Sequence, residues 1–168
     1  MKGNISTALD LAMDIEKDSI FRYLEIARKT KDTSGKNMFI TLAMEEVKHL
    51  LILSEARQIV EEEVHLKPLE VPKSEIEGVL PDIIKREKKK HGKSELNELD
   101  ALEIALEHEK KAMDFYEKKS VEMTDETLKN LFKRLYEMER GHYELIMAQL
   151  DYIKGTGFWF DMPEFSME

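Results

Sequence analysis

Two segments of the chain carry a glutamate followed three residues later by a histidine. These pairs are Glu46 with His49, in the segment LAMEEVKHLL, and Glu139 with His142, in YEMERGHYEL. Residues three positions apart lie on one face of a helix, so a carboxylate and an imidazole at this spacing can bind the same metal ion. One such pair is a weak signal, but a second pair in a similar apolar setting indicates a shared site.

The two pairs belong to an internal repeat. Alignment of the chain with itself at an offset of 93 residues matches two pairs of segments, 8–23 with 101–116 and 36–49 with 129–142. Of these 30 aligned positions 12 are identical, whereas ordinary residue usage gives about two identities by chance. The identical positions include both glutamate–histidine pairs and one further pair of glutamates, Glu16 and Glu109. The repeat indicates an internal duplication.

Each half of the duplication predicts two helices joined by a short polar break. The breaks, KTKDTSGK and EMTDET, contain Asp, Thr and Ser residues that can cap the following helix. On both sides of each break, apolar residues recur every three or four positions, as in a helix with one buried face. The predicted helices span residues 6–31, 33–62, 97–121 and 125–153. All six ionisable residues named above fall inside the apolar stripes, so we expect them to face the core.

The predicted hairpins place the glutamates at one height in the bundle. Glu16 lies about 16 residues before the first break and Glu46 about 14 after it, so at 1.5 Å per residue both lie roughly 20–24 Å from the turn. Four buried carboxylates repel each other unless they take up protons or bind cations. The sequence therefore predicts six metal ligands, which are Glu16, Glu46, His49, Glu109, Glu139 and His142. No catalytic residue beyond these ligands is predicted, and a buried salt-bridged network without metal is the alternative.

The composition limits the fold and the partners. The chain has 168 residues, of which 42% are hydrophobic and 36% charged, with only 7 Gly and 4 Pro, which predicts one mostly helical domain. A net charge of -9 argues against a nucleic acid partner. The absence of cysteine excludes disulfides and cysteine-ligated zinc or iron–sulfur centres. Since the sequence contains neither an apolar signal core nor a run of 18 apolar residues, we expect a soluble, cytoplasmic protein with no membrane segment.

A long segment separates the two predicted hairpins. Residues 63–96 far exceed the roughly two to eight residues that usually connect adjacent antiparallel helices. A crossover along the bundle explains this length, because it makes the second and third helices parallel and relates the halves by a pseudo-twofold axis. We therefore predict one all-α domain, 1–168, made of a hairpin (6–62), a crossover (63–96), a second hairpin (97–153) and an aromatic C-terminal tail (154–168).

These motifs resemble the ferritin-like superfamily, and within it the rubrerythrin-like di-iron proteins. A glutamate from each of two helices and a glutamate–histidine pair from each of the other two is the ligand pattern of carboxylate-bridged di-iron and di-manganese bundles. The resemblance covers most of residues 6–153 and implies a ferritin-like four-helix bundle. Carried over by position, Glu16 and Glu109 are terminal ligands, Glu46 and Glu139 bridge the two metal ions, and His49 and His142 each bind one of them.

The resemblance implies a di-iron oxidoreductase that reduces hydrogen peroxide or dioxygen, with two iron ions that manganese or zinc could replace. The chain departs from rubrerythrins in two ways. An additional glutamate that they carry one turn after the third-helix ligand is Ala112 here, and a cysteine-free chain cannot have their rubredoxin domain. Electrons must therefore come from a separate donor protein. We also expect a homo-oligomer, a dimer. The alternatives are a ferroxidase that oxidises Fe(II) for storage, a di-manganese catalase, and a metal-free interaction scaffold.

Other polar and aromatic residues have a simpler structural interpretation. Tyr23 and Tyr116, two turns after the first-helix and third-helix glutamates, are predicted to be core aromatics, with a hydrogen bond to a ligand carboxylate as the alternative. His108 points about 100° away from the neighbouring ligand, and His108, His65 and His91 are predicted to be structural or solvated. The run KREKKKHGK is predicted to be a solvated helix end, with docking of an acidic redox partner as the alternative. The tail GTGFWFDMPEFSME is expected to pack on its own bundle or on a neighbour.

Overall fold

The computed structural model describes residues 2–62 and 96–156, which form four α-helices and no strand. The helices are α1 (Lys2–Lys29), α2 (Thr33–Glu61), α3 (Leu96–Glu122) and α4 (Glu126–Thr156). Their ends differ from the predicted ones by at most four residues. The all-α prediction is confirmed for this part of the chain.

Most of the predicted crossover and tail lies outside the described residues. His65, His91, the run KREKKKHGK and the aromatic segment after Thr156 also lie outside them. The division of the chain into one domain with these parts stays a prediction.

An aspartate side chain caps the N-terminus of α2, and another caps the N-terminus of α4. The carboxylate of Asp32 accepts hydrogen bonds from the backbone N–H groups of Ser34 and Gly35, at 2.8 and 3.1 Å. Asp125 accepts one from the N–H of Leu128 at 3.0 Å. These carboxylates satisfy N–H groups that have no partner within the helix. Among the candidates in each polar break, the aspartates are therefore the residues that cap the second helix of each hairpin.

Two apolar clusters form the core, one at each end of the bundle. The first cluster joins the C-terminal halves of α1 and α4 to the N-terminal halves of α2 and α3. The second joins the opposite halves of all four helices. Since α2 and α3 both begin in the first cluster, they run parallel, and the connection from Glu61 to Leu96 joins opposite ends of the bundle. This arrangement is the predicted ferritin-like topology, with each hairpin antiparallel within itself.

The duplication in the sequence appears in the structure as a pseudo-twofold symmetry. Tyr23 stacks on Phe39 in the first cluster, with ring centroids 6.1 Å apart and planes at 28°. Their counterparts 93 residues later, Tyr116 and Phe132, pack in the second cluster with the same centroid distance of 6.1 Å and an angle of 31°. Each cluster is thus the symmetry counterpart of the other, and the layer between them lies at the centre of the bundle.

No helix among the described residues combines the length and the hydropathy needed to cross a membrane.

Candidate metal centre

All six predicted ligands meet in the layer between the two apolar clusters. Glu16 comes from α1, Glu109 from α3, and one glutamate–histidine pair each from α2 and α4. Every one of these side chains is at most 1% exposed. Each helix places its ligand on the stripe that faces the core, so the apolar residues that form the bundle also position the polar groups. The sequence therefore located this cluster correctly, while the binding of metal by its members stays a prediction.

The contacts between histidines and glutamates repeat across the pseudo-twofold axis. His49 Nδ1 lies 2.9 Å from Glu46 Oε2 and 3.1 Å from Glu139 Oε1. His142 Nδ1 lies 3.2 Å from the other oxygen of Glu46 and 3.3 Å from the other oxygen of Glu139. Each of these two carboxylates thus directs one oxygen toward each histidine. This is the arrangement that a carboxylate bridging two metal ions requires.

The outer glutamates complete the same symmetry. Glu16 Oε2 lies 3.6 Å from His49 Nδ1, and Glu109 Oε2 lies 3.7 Å from His142 Nδ1. The imidazole rings of the two histidines are nearly parallel, at 10°, with centroids 5.4 Å apart. Two groups of four ligand atoms result, in which all atoms lie within 4.8 Å of one another. One group contains Glu16 and His49, the other Glu109 and His142, and both contain Glu46 and Glu139.

The unsatisfied polar atoms of the cluster fit a pair of bound cations. Within the described part of the chain, ten of the twelve side-chain nitrogen and oxygen atoms of the six residues make no hydrogen bond. Although the nitrogen–oxygen contacts are short, they lack hydrogen-bond geometry. Buried polar atoms are seldom left without a partner, because that costs roughly 1–3 kcal/mol each. Ligands about 2.1 Å from an octahedral metal ion lie about 3 Å from their neighbours, close to the spacing of these contacts.

The six side chains differ in the direction in which their surroundings shift the pKa. Burial raises the pKa of Glu16 and of Glu109 well above its ordinary value, and the charge of Glu139 raises both further. Burial opposes ionisation of Glu46 and Glu139 as well, but contacts with the two histidines lower the pKa of both carboxyls. The six side chains by themselves therefore favour two ionised glutamates, the two that both groups share, and two protonated ones.

The histidines carry the balancing charge. Burial lowers the pKa of an imidazole, yet the surrounding carboxylates outweigh it and raise the pKa of both His49 and His142 well above the usual value. Two imidazolium cations thus face two carboxylate anions. Two divalent cations would replace these protons and match the charge of four ionised carboxylates beside neutral imidazoles.

The two pseudo-equivalent tyrosines behave differently. The hydroxyl of Tyr116 donates a buried hydrogen bond to Glu16 Oε1, which places this tyrosine beside a predicted terminal ligand. The hydroxyl of Tyr23 is buried and has no hydrogen-bond partner among the described residues. Both side chains are core aromatics, as the sequence predicted. The alternative of a bond to a ligand carboxylate applies to Tyr116 alone.

His108 lies beside the cluster without joining it. Its Nε2 lies 2.8 Å from Ser19 Oγ, and Ser19 itself donates to the carbonyl of Ile15 at 3.1 Å. One hydrogen bond therefore joins the imidazole of His108 to the hydroxyl of Ser19. Burial, followed by the charge of Arg22, lowers the pKa of this imidazole. The residue links α3 to α1, in agreement with the structural role predicted for it.

The sequence reasoning missed two further buried polar residues. Glu45 has no exposed surface, and one of its oxygens lies 2.8 Å from Lys48 Nζ. Gln149 is also fully buried, and neither its oxygen nor its nitrogen has a hydrogen-bond partner within residues 2–62 and 96–156. Glu45 directly precedes a ligand and Gln149 lies two turns beyond one. Neither has a polar counterpart in the other half, where Met138 and Ala56 occupy the equivalent positions, so the repeat gave no signal for them.

Two solved structures resemble the bundle. One is a two-domain protein from Anabaena variabilis that contains DJ-1/ThiJ/PfpI-like and ferritin-like domains, with a TM-score of 0.69 and 14% identity over 100% of this chain and 42% of that chain. The chain thus spans less than half of that protein. The other is a hypothetical protein from Pyrococcus furiosus, with a TM-score of 0.65 and 24% identity over 92% of this chain and 93% of that chain. At these identities the likeness shows the fold alone.

The sequence itself carries the family assignment. No curated protein matches it significantly. The family model described as Rubrerythrin matches residues 7–150, which include both hairpins and all six residues of the cluster. Together with the ferritin-like bundle and the duplicated ligand motif, this match shows that the chain belongs to the rubrerythrin family.

Proposed function

We propose that the protein is a di-iron oxidoreductase that reduces hydrogen peroxide or dioxygen to water with electrons from a separate donor protein. The observation that carries the proposal is the cluster of four glutamates and two histidines, arranged as two groups that share Glu46 and Glu139. Membership of the rubrerythrin family supports the same chemistry. Oxygen and imidazole ligands suit iron and manganese, and also zinc, which has no redox chemistry of its own.

The residues of the cluster would hold the two ions in a symmetric setting. Glu46 and Glu139 each offer one oxygen to each position, so they would bridge. His49 and Glu16 would complete one metal position. His142 and Glu109 would complete the other. Four carboxylates balance the charge of two divalent cations. Because the loaded site is neutral overall, the free-energy cost of burying it is reduced.

Tyr116 would keep one terminal ligand in place. Its hydroxyl stays protonated, because burial and then the charge of Glu16 raise its pKa well above the ordinary value. It therefore acts as a hydrogen-bond donor to Glu16 rather than as a base. Such a bond restricts the carboxylate to one orientation and leaves its second oxygen directed toward His49.

The proposed reaction needs two electrons and two protons for each peroxide converted to two waters, and four of each for each dioxygen. Two reduced iron ions held by the six residues would supply two electrons at a time, one from each ion. None of the 168 residues is a cysteine that could ligate a rubredoxin-type centre, so the proposal takes the electrons from a separate donor protein. The two apolar clusters flank the six buried residues, which are at most 1% exposed, so the site is shielded from bulk water.

The test combines metal analysis with a spectrum. Protein purified without added metal should contain about two iron ions per chain, and a near-ultraviolet absorption band should bleach on reduction and return rapidly when peroxide is added. With a chemical reductant present, peroxide should be consumed without release of oxygen. Absence of iron, together with failure to take up added iron or manganese, would contradict the proposal and favour a metal-free scaffold.

A second candidate is a ferroxidase that uses Fe(II) itself as the reductant. The observation that favours it is the lack of cysteine, and hence of a thiolate-ligated electron donor, in the chain. A ferroxidase would oxidise many more than two Fe(II) per chain and release or store the product, whereas the proposed reductase would keep two. A di-manganese catalase would instead release oxygen from peroxide without any reductant, so the same assay separates the three.

A further inference from the structure

A groove lies between α1 and α3, at the end of the bundle where α4 finishes. Its volume is about 380 Å³, and its lining includes the apolar residues Ile26, Ala101 and Ile104 and the cations Arg22 and Lys29. None of the described side chains that line it is aromatic. Within the described part of the chain, this groove leaves apolar surface of both helices open to solvent.

The equivalent position at the other end of the bundle is occupied by an aromatic ring. Phe115 stands 93 residues after Arg22 and packs against the second apolar cluster. Its ring meets that of Tyr116 edge-on, with centroids 5.5 Å apart, and Lys119 Nζ lies 5.7 Å from its centre. The second hairpin thus covers its side of the bundle with an aromatic side chain of its own, which the first hairpin lacks at the groove.

The chain carries aromatic residues that could take this place. The aromatic segment, defined here as residues 157–168 (GFWFDMPEFSME), follows directly on α4 and lies outside the described residues. Four of its 12 residues are aromatic: Phe158, Trp159, Phe160 and Phe165. The other long stretch outside the described residues, 63–95, leads to α3 at the same end but contains no Phe, Trp or Tyr. The aromatic segment is therefore the better match to the groove.

The end of α4 brings the aromatic segment within reach of the groove. Lys154 Nζ lies 3.1 Å from Glu103 Oε1, so the last turns of α4 run beside the first turns of α3. Neighbouring helices pack about 8–10 Å apart, which puts the groove, one helix further on, about 15 Å from α4. Five extended residues span about that distance, and 12 span up to about 40 Å. The segment is long enough to enter the groove and continue along it.

Charge favours the same occupant. The aromatic segment contains no basic residue and three acidic ones, Asp161, Glu164 and Glu168. The two cations of the groove each pair with a carboxylate one turn earlier on α1, at 3.2–3.3 Å. Such pairs contribute little at exposed positions, so these cations can also interact with the segment. Since Glu25 and Asp100 line the groove as well, apolar contact supplies most of the affinity.

We propose that the aromatic segment folds back into the groove between α1 and α3 of its own chain and fills it with aromatic side chains. Aromatic rings bury a large apolar area, which offsets the entropy lost when a short segment becomes ordered. Arg22 and Ile104 lie one turn from Ser19 and His108, so the docked segment covers the contact between α1 and α3 next to their hydrogen bond. The inference does not depend on the proposed function.

The fluorescence of Trp159 tests the proposal. It is the single tryptophan of the chain, so its emission reports on the aromatic segment alone. In the natural protein we expect emission at shorter wavelength than that of free tryptophan, with little quenching by acrylamide. Ile104→Glu places a charge in the apolar part of the groove and should lower the ratio of docked to free segment at least ~10-fold. Because Ile104 is 53% exposed, helix content should not change.

The duplication supplies the matched control. Leu11 stands 93 residues before Ile104 and is 48% exposed, but it lies at the opposite end of the bundle. Leu11→Glu adds the same charge and should leave the emission of Trp159 unchanged. Emission like that of free tryptophan in the natural protein would overturn the proposal. Equal shifts in the two variants, or no shift in Ile104→Glu, would overturn it as well.

Proteolysis measures docking independently of the surroundings of Trp159. Chymotrypsin cleaves after aromatic residues, and mass spectrometry identifies the bonds that are cut. Cleavage within residues 157–168 should be at least ~10-fold slower in the natural protein and in Leu11→Glu than in Ile104→Glu, because the protease acts on the undocked population. Equal rates in the three proteins would contradict the proposal.

Co-expression determines whether the segment enters the groove of its own chain. Chains with Ile104→Glu are combined with chains with Trp159→Phe, which keep an intact groove and have no tryptophan. The emission should remain that of Ile104→Glu alone. A return to the natural emission would show that the segment occupies the groove of a second chain, and would overturn the proposal.

Discussion

The two hairpins of this protein share many of their buried residues but differ in the residues they expose. In the interior, each supplies two glutamates, one histidine and a tyrosine–phenylalanine pair with ring centroids 6.1 Å apart, at positions that differ by 93 residues. On the exterior, the first hairpin presents Ile40, Met44, Val47 and Leu51 where the second presents charged residues. The difference indicates that the interior is restricted by the cluster, because each of the six residues contributes an atom to at least one of the two shared groups. These exposed positions contribute no atom to the cluster, so their residues can differ between the two halves.

The largest expected effect is the loss of metal binding when the equivalent buried glutamates of both hairpins are replaced. Replacement of both shared carboxylates, Glu46→Gln with Glu139→Gln, should abolish binding of two iron ions per chain, since no oxygen would remain to join the two positions. Each single variant should weaken binding by more than about 100-fold, and by similar amounts because the hairpins are equivalent here. Metal analysis after dialysis measures both effects.

The matched control for these variants is Glu45→Gln. Glu45 is as buried as its neighbour and lies on the same helix, but it is not part of either group of ligand atoms. The Glu45→Gln variant should still contain about two iron ions per chain. A double variant that still holds two ions would show that the shared carboxylates do not bridge.

The pH dependence of metal binding should be steep. Four groups have raised pKa values, namely Glu16, Glu109, His49 and His142. Such groups keep their protons to higher pH than usual, so metal ions must displace those protons, and binding weakens as pH falls. Each displaced proton lowers the affinity by about tenfold per pH unit below its pKa. The loss should therefore begin at a higher pH than it would for ordinary carboxylates alone, which lose affinity only near pH 4–5.

Calorimetry in buffers with different ionisation enthalpies measures the protons released. We expect release of up to four protons as two metal ions bind, and more than one in any case. Release of no protons at pH 7 would contradict the charge balance inferred for the cluster.

The tyrosines are expected to show an intermediate effect and to separate the hairpins. Tyr116→Phe removes the hydrogen bond to Glu16 and should weaken metal binding by roughly 10–100-fold. Tyr23→Phe removes a hydroxyl with no partner among the described residues, so it should leave metal binding unchanged and cost little or no stability. Competition with a chelator gives the affinities, and equal losses in the two variants would show that Tyr23 also holds a ligand.

The smallest effect concerns the helix caps. Asp32→Ala removes the acceptor of two backbone hydrogen bonds and Asp125→Ala the acceptor of one. Loss of such a cap costs roughly 0.5–2 kcal/mol, so we expect about 1–2 kcal/mol for Asp32 and about 1 kcal/mol or less for Asp125. Thermal unfolding of the metal-free protein should show a larger fall in Tm for the first variant. The reverse order would mean that the turns, rather than the caps, decide the stability of each hairpin.

The ligand cluster could be predicted from the sequence because several independent signals coincide there. Glu46 and His49 lie on an apolar stripe, have the spacing of a metal-binding pair and recur after 93 residues. The helices could be predicted for similar reasons, since their breaks contain capping residues and their apolar periodicity is long. The stacked arrangement of Tyr23 with Phe39 was not predicted, because it depends on how two helices cross.

Features that break the repeat could not be predicted in this way. Ser19 and His108 are joined by a hydrogen bond between α1 and α3, but their counterparts, Ala112 and Ile15, cannot form one. The exposed position of Met44 was also unpredictable, because a methionine within an apolar helix is ordinarily assigned to the core. In both cases the outcome depends on the direction of a side chain relative to a neighbouring helix, which the sequence pattern does not specify.

The even division of the six predicted ligands between the hairpins has a consequence for the origin of the molecule. Each hairpin carries half of a complete site, so two identical hairpins related by a true twofold axis would supply the same six ligands. Such an ancestor would bind metal only as a dimer, at a concentration set by its own association. Fusion through a connecting segment replaces that dependence with an effective concentration in the millimolar range. The segment between Glu61 and Leu96 can be understood as the tether that made metal binding independent of how much protein the cell contains.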